Sequence, residues 1–90
     1  MVSAAARRLS DGAELTFETV RHGDEAATRL HEREDTLLRV IDGIVRLTVD
    51  GAERLLGTGD EAIVPAGGAY RLESAGGSAR FVTGLRAVRR

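Results

Sequence analysis

Gly59-Asp60-Glu61-Ala62-Ile63-Val64-Pro65-Ala66-Gly67-Gly68-Ala69-Tyr70 is the stretch that decides the fold. It holds the only proline of the chain, with Gly59 and Gly67 on either side. Gly59 predicts a turn before a short apolar strand, Glu61 to Val64. Pro65 cannot donate to a central ladder and so marks the end of that strand. Gly67 supplies a corner, and a new strand starts at Tyr70.

The surrounding sequence repeats this rhythm. Residues 13–20 alternate, with Ala13, Leu15 and Phe17 on one face and Glu14, Thr16 and Glu18 on the other. A polar loop, Arg21 to Glu25, leads to a predicted strand over residues 27–33. There Ala27, Arg29 and His31 share a face. Thr36 to Ile41 is apolar on both faces through Leu37, Leu38, Val40 and Ile41, which predicts a strand covered on both sides. Asp42-Gly43 and Asp50-Gly51 are hairpin signals, so residues 36–56 read as a meander. Gly57 to Asp60 is a turn, as is Ser74 to Gly77, and residues 80–85 form the last strand. Ala4 to Leu9 reads as a single helical turn. About eight short strands at even spacing predict an all-β sandwich or closed barrel. Residues 1–12 read as an N-terminal segment and 13–90 as one domain.

Composition narrows the functions. Ninety residues make one domain, and a chain this short buries only about 60–65% of its unfolded surface. All 13 basic residues are Arg, a bias that reflects genome composition. The net charge of −1 gives no electrostatic case for nucleic acid or an anionic membrane. Absence of cysteine excludes disulfides, thiolate metal sites and a Cys nucleophile. No apolar run reaches the roughly 18 residues of a membrane span, and no signal peptide is visible. A cytoplasmic protein is expected.

Gly59, Pro65, Gly67, Tyr70 and Ser74 fall on the spacing G-x5-P-x-G-x2-H-x3-N, and the first three match in identity. Gly23, Arg29, His31, Thr36 and Gly43 fall on G-x5-H-x-H-x4-E-x6-G, where both glycines and the second histidine match. In these motifs the chain resembles a small single-domain cupin over roughly residues 23–85. The resemblance implies a jelly-roll-type antiparallel β-barrel with a pocket at one mouth. It also implies dimerisation and, in the family's usual form, a divalent metal held by three His and one Glu.

The metal positions depart from that pattern. They carry Arg29, His31, Thr36 and Tyr70. Arg offers no lone pair and stays protonated, Thr is a weak neutral ligand, and Tyr ligates only when its pKa is lowered. A single His does not hold a transition metal. A three-residue spacer would instead put Asp35 at the glutamate position, giving His31, Asp35 and Tyr70 as a low-affinity metal set. The bland reading of Glu32 to Asp35 is a solvated loop.

The expected function is therefore a cofactor-free module. It binds a small polar or anionic ligand through Arg29, His31, Thr36 and Tyr70, as a homodimer. Arg supplies a donor fork for carboxylate or phosphate. Two alternatives stay open. One is a cupin-type enzyme, either metal-dependent or a metal-free isomerase or cyclase with His31 as base and Tyr70 as acid. The other is a structural dimerising subunit. Simple plugging of the former metal site by Tyr70 is the plain alternative to catalysis. His22 reads as exposed, and Arg39 as either exposed or paired across a dimer interface.

Overall fold

The computed structural model describes residues 3–8 and 14–88. Its eight described strands are β1 (Ser3–Arg8), β2 (Glu14–Arg21), β3 (Glu34–Asp42), β4 (Val45–Val49), β5 (Ala52–Leu56), β6 (Glu61–Val64), β7 (Tyr70–Ser74) and β8 (Ser78–Ala87). They form a five-stranded sheet in the order β1-β2-β8-β3-β6 and a three-stranded sheet in the order β5-β4-β7. All ladders are antiparallel. The all-β, jelly-roll-type expectation is met. Among the described residues, no helix is long and apolar enough to cross a membrane.

Period-2 alternation places the core between the sheets. Val20, Leu38, Val40 and Phe81 of the larger sheet face Val45, Leu47, Leu56 and Leu72 of the smaller one, and all are buried. With so few aromatic residues, Phe81 is the largest fully buried side chain.

Four expectations are corrected. Ser3–Arg8 is a strand paired in register with β2, not a helical turn, because Ala and Arg take either conformation and the sheet edge offers partners; Leu9 lies outside the described residues. Residues 27–33 form no strand and make only the isolated bridge between Arg29 and Tyr70. Few residues there are β-branched or apolar, so nothing favours a longer ladder.

Strand β3 is not covered on both sides in the single chain. Thr36, Leu38 and Val40 are buried, whereas Arg39 and Ile41 are exposed and Leu37 half-buried. Leu37 is aligned by register with Ile63 of β6 and Gly84 of β8 on the outward face of the larger sheet.

Finally, Asp42-Gly43 closes no hairpin, because β3 and β4 lie in different sheets. The β3–β8 register shifts between Val40 and Asp42, and Gly43 at φ 88° then carries the chain across. Asp50-Gly51 does close the β4–β5 hairpin, with φ of 49° and 84°. Positive φ at both central residues is what a type I′ turn requires. The turn expected at residues 57–60 likewise crosses between sheets, with Gly59 at its corner. Its N–H donates to the Val40 carbonyl at 2.8 Å, and the Val40 N–H donates to Asp60 at 3.0 Å.

Candidate functional site

The stretch 59–70 builds the site by pinning a segment that has no ladder of its own. Strand β6 ends at Val64, and Gly67 adopts φ 87°. The Gly67 N–H then donates to the His31 carbonyl at 2.9 Å. Three residues on, Tyr70 and Arg29 exchange backbone bonds of 2.7 and 2.9 Å. These three bonds hold residues 29–31 across the open end of the barrel.

A cavity of about 430 Å³ opens there, lined by Thr16, Glu18, Arg29, Leu30, His31, Tyr70, Thr83 and Leu85. The mouth is polar because strand register aligns hydroxyls there: Thr16 of β2 sits opposite Thr83 of β8. Farther along the same strands Val20 and Phe81 close the floor as core. Leu38, Val40 and Leu72 are buried in that core and do not fill the mouth. A second concavity, about 590 Å³, lies over the other side of the larger sheet and is lined chiefly by apolar groups.

Of the four expected ligand-binding residues, Arg29, His31 and Tyr70 meet in the mouth. The His31 and Tyr70 rings lie 6.2 Å apart between centroids, tilted by 37°. Thr36 sits behind them, buried, and its hydroxyl donates to the Tyr70 hydroxyl over 3.4 Å. Tyr70 is 3% exposed and packs with the core. Ser74 hydrogen-bonds within its own turn, to the carbonyls of Gly76 and Gly77.

Arg29 is not a free cation. Its two terminal nitrogens donate to both carboxylate oxygens of Glu18 at 2.8 and 2.6 Å. This is a bidentate fork, the strongest geometry such a pair can adopt. The Glu18 side chain is only 6% exposed, that of Arg29 31%. Thr83 Oγ1 also donates toward Glu18 over 3.5 Å. Hydrogen bonding to Glu18 raises the Arg29 pKa, partial burial opposes that rise, and Tyr70 adds to it. Glu18 is the residue that reading the sequence missed. The available signal was the polar face of β2, where Thr16 and Glu18 precede Val20 on one side of an alternating strand.

The residues do not fit the family's metal. The four ligand positions bring an arginine bound to a carboxylate, one histidine, a buried threonine and a tyrosine. Asp35, the alternative ligand, is turned to other work: its Oδ1 accepts from the Ala66 N–H at 2.9 Å and its Oδ2 lies 3.5 Å from Arg86. Asp35 does not line the mouth. Among the described residues no group of three or more His, Cys, Asp or Glu could hold a metal ion. His22 is exposed, and exposed Arg39 lies 3.7 Å from Glu61.

The model of the family described as "Cupin domain" matches residues 16–83. No curated protein matches the chain. Among solved structures, the cupin domain of Cnp3 from Schizosaccharomyces pombe is 15% identical, with a TM-score of 0.86 over 97% of this chain and 65% of that one. KdgF from Halomonas sp. is 16% identical, with a TM-score of 0.85 over 98% of this chain and 80% of that one. TT1209 from Thermus thermophilus is 20% identical, with a TM-score of 0.83 over 96% of this chain and 83% of that one. At these identities the likeness is one of fold. The chain spans about two thirds of the length of the first of these structures.

Proposed function

The chain belongs to the cupin family, and from that premise we propose that it is a cofactor-free module binding one small polar molecule in the barrel mouth. The observation that carries this reading is the mouth itself. Its cavity is large enough for a small ligand and is walled by the donors and acceptors of Arg29, His31, Tyr70, Thr16 and Thr83. Pockets of about 300–1,000 Å³ with a few placed polar groups are the usual form of a small-molecule site. Binding is favoured over acid–base turnover by the state of Tyr70. It is buried, and its hydroxyl accepts from Thr36, so it serves as wall and hydrogen-bond partner.

The test is a panel of neutral polyols, monocarboxylates and inorganic phosphate, followed by amide chemical shifts of the labelled protein. Saturable shifts confined to residues around 29–31, 70 and 83 are expected. His31→Ala should weaken the bound member about 10-fold, the loss of roughly one net hydrogen bond. Shifts spread over the surface, or none with the whole panel, would sink the reading. Elemental analysis should find well below one metal ion per chain; a stoichiometric transition metal counts against it.

We further propose that the module is a homodimer, joined through the outward face of the larger sheet. Leu15, Gly84, Leu37 and Ile63 are aligned across four strands by register, and Val82 lies beside them. Ile63 is 58% exposed. The neighbouring Arg39 and Glu61 give this face charges of both signs, which a second copy related by a two-fold axis can complement. Light scattering should return twice the 9.6 kDa of one chain, and Ile63→Arg should halve it. A wild-type monomer would end this proposal.

A further inference from the structure

We propose that Glu18 is the specificity-determining residue of the mouth: by occupying the donor fork of Arg29 it excludes small oxyanions and leaves a site for neutral, hydroxyl-bearing molecules. This deepens the ligand-binding reading and rests on it.

An arginine in a polar cavity is the usual recognition group for carboxylate or phosphate, through two parallel N–H···O bonds. Here both of those bonds go to Glu18. The carboxylate is part of the protein and is almost wholly buried, so it is present at the fork at a concentration no free ligand matches. An incoming oxyanion would have to displace it. Glu18, itself almost wholly buried, would then lose its partner and lie beside a second negative charge.

Neutral hydroxyls meet no such barrier. The guanidinium has five N–H donors, and the fork consumes one on each terminal nitrogen. Arg29 is also partly exposed to the cavity. Its remaining donors, the His31 ring and the hydroxyls of Thr16 and Thr83 can serve a neutral ligand without disturbing the pair. The charged groups facing the fork from neighbouring elements are Glu18 and Arg29 themselves, and Tyr70 and His31 are the other titratable lining groups. The lining thus carries one fixed negative and one fixed positive charge, which cancel.

Glu18→Gln tests this directly. The substitution keeps size and one acceptor but removes the competing charge. Inorganic phosphate and acetate are titrated into wild type, Glu18→Gln and the double variant Glu18→Gln/Arg29→Gln, with fold checked by the amide spectrum. The expected result is about 10- to 100-fold tighter anion binding by Glu18→Gln, the range of a charge-assisted bond regained. The double variant loses that gain. A folded Glu18→Gln that binds anions no better than wild type would overturn the assignment. So would a wild type that already binds them at Arg29 with equal affinity. Failure of the underlying ligand-binding reading looks different: neutral polyols then bind none of the three proteins, while the anion gain of Glu18→Gln still reports on Glu18.

Discussion

Gly43→Ala should lower the melting temperature by about 12–24 °C. Two effects add. Gly43 sits at φ 88°, where any side chain is strained, at a cost of about 1–2 kcal/mol. A Cβ there would also lie 2.7 Å from the Ser78 carbonyl oxygen and 2.9 Å from the Ala79 Cα. Both are backbone atoms at the start of β8, and Ala79 is 1% exposed, so neither can swing aside. Relief requires moving the crossover between the sheets or shifting β8 in its ladder. The sum is about 3 kcal/mol, and each kcal/mol shifts the midpoint by roughly 4–8 °C in a domain of this size. Gly51→Ala is the control. It has φ 84° but nothing within 4 Å of its Cβ, so it should show the strain alone, about 1 kcal/mol. Equal losses in thermal melts of the two variants would mean that the close approach at Gly43 is relieved without cost.

The second large effect is an asymmetry. Arg29→Leu should destabilise the protein by about 2–3 kcal/mol, whereas Glu18→Leu/Arg29→Leu should stay within about 1 kcal/mol of wild type. Removing Arg29 alone leaves the Glu18 carboxylate, 6% exposed, without its fork. Breaking a buried pair from one side costs about 3–5 kcal/mol in general; the partial exposure of Arg29 and the open mouth lower that figure here. Replacing both partners removes the stranded charge. Glu18→Gln should cost only about 1 kcal/mol, because Arg29 can turn toward solvent. Urea melts of the three variants decide this. A double variant as unstable as Arg29→Leu would show that packing, and not the unpaired charge, sets the loss.

Both effects bear on what a sequence can disclose. The segment 59–70 was legible because its signals are local. A proline that cannot donate and a glycine that takes positive φ act on the chain wherever it lies. Asp50-Gly51 was legible for the same reason. Asp42-Gly43 carries the same dipeptide, yet it leads from one sheet to the other. The dipeptide specifies backbone angles and not which strands pair. The predicted strand over residues 27–33 failed on a related point. Alternation of polar residues says that a segment is extended, but extension becomes a ladder only where a free edge runs alongside. There Tyr70 makes one bridge with Arg29, and the further backbone bonds, from Gly67 to His31 and from Val88 to Arg33, are scattered and build no ladder. Arg29, His31 and Tyr70 were found from motif spacing, and they do converge. The partner of Arg29 was not legible. Glu18 lies on β2, and β2 reaches the mouth only because the last strand, β8, separates it from β3.

That position of β8 has a consequence for how the molecule is made. Ser78–Ala87 is the last of the described strands in sequence yet the middle strand of the larger sheet. A nascent chain that has emerged as far as β7 can close the β4–β5 hairpin and the smaller sheet. It cannot join β1 and β2 to β3 and β6. At about 5–20 residues per second, β2 and β3 therefore wait a few seconds with unpaired edges before the strand that unites them leaves the ribosome. The buried Phe81 arrives with it. Closure of the barrel is thus a late, single event in biosynthesis, and the interval before it is when the chain is most open to pairing with another copy of itself.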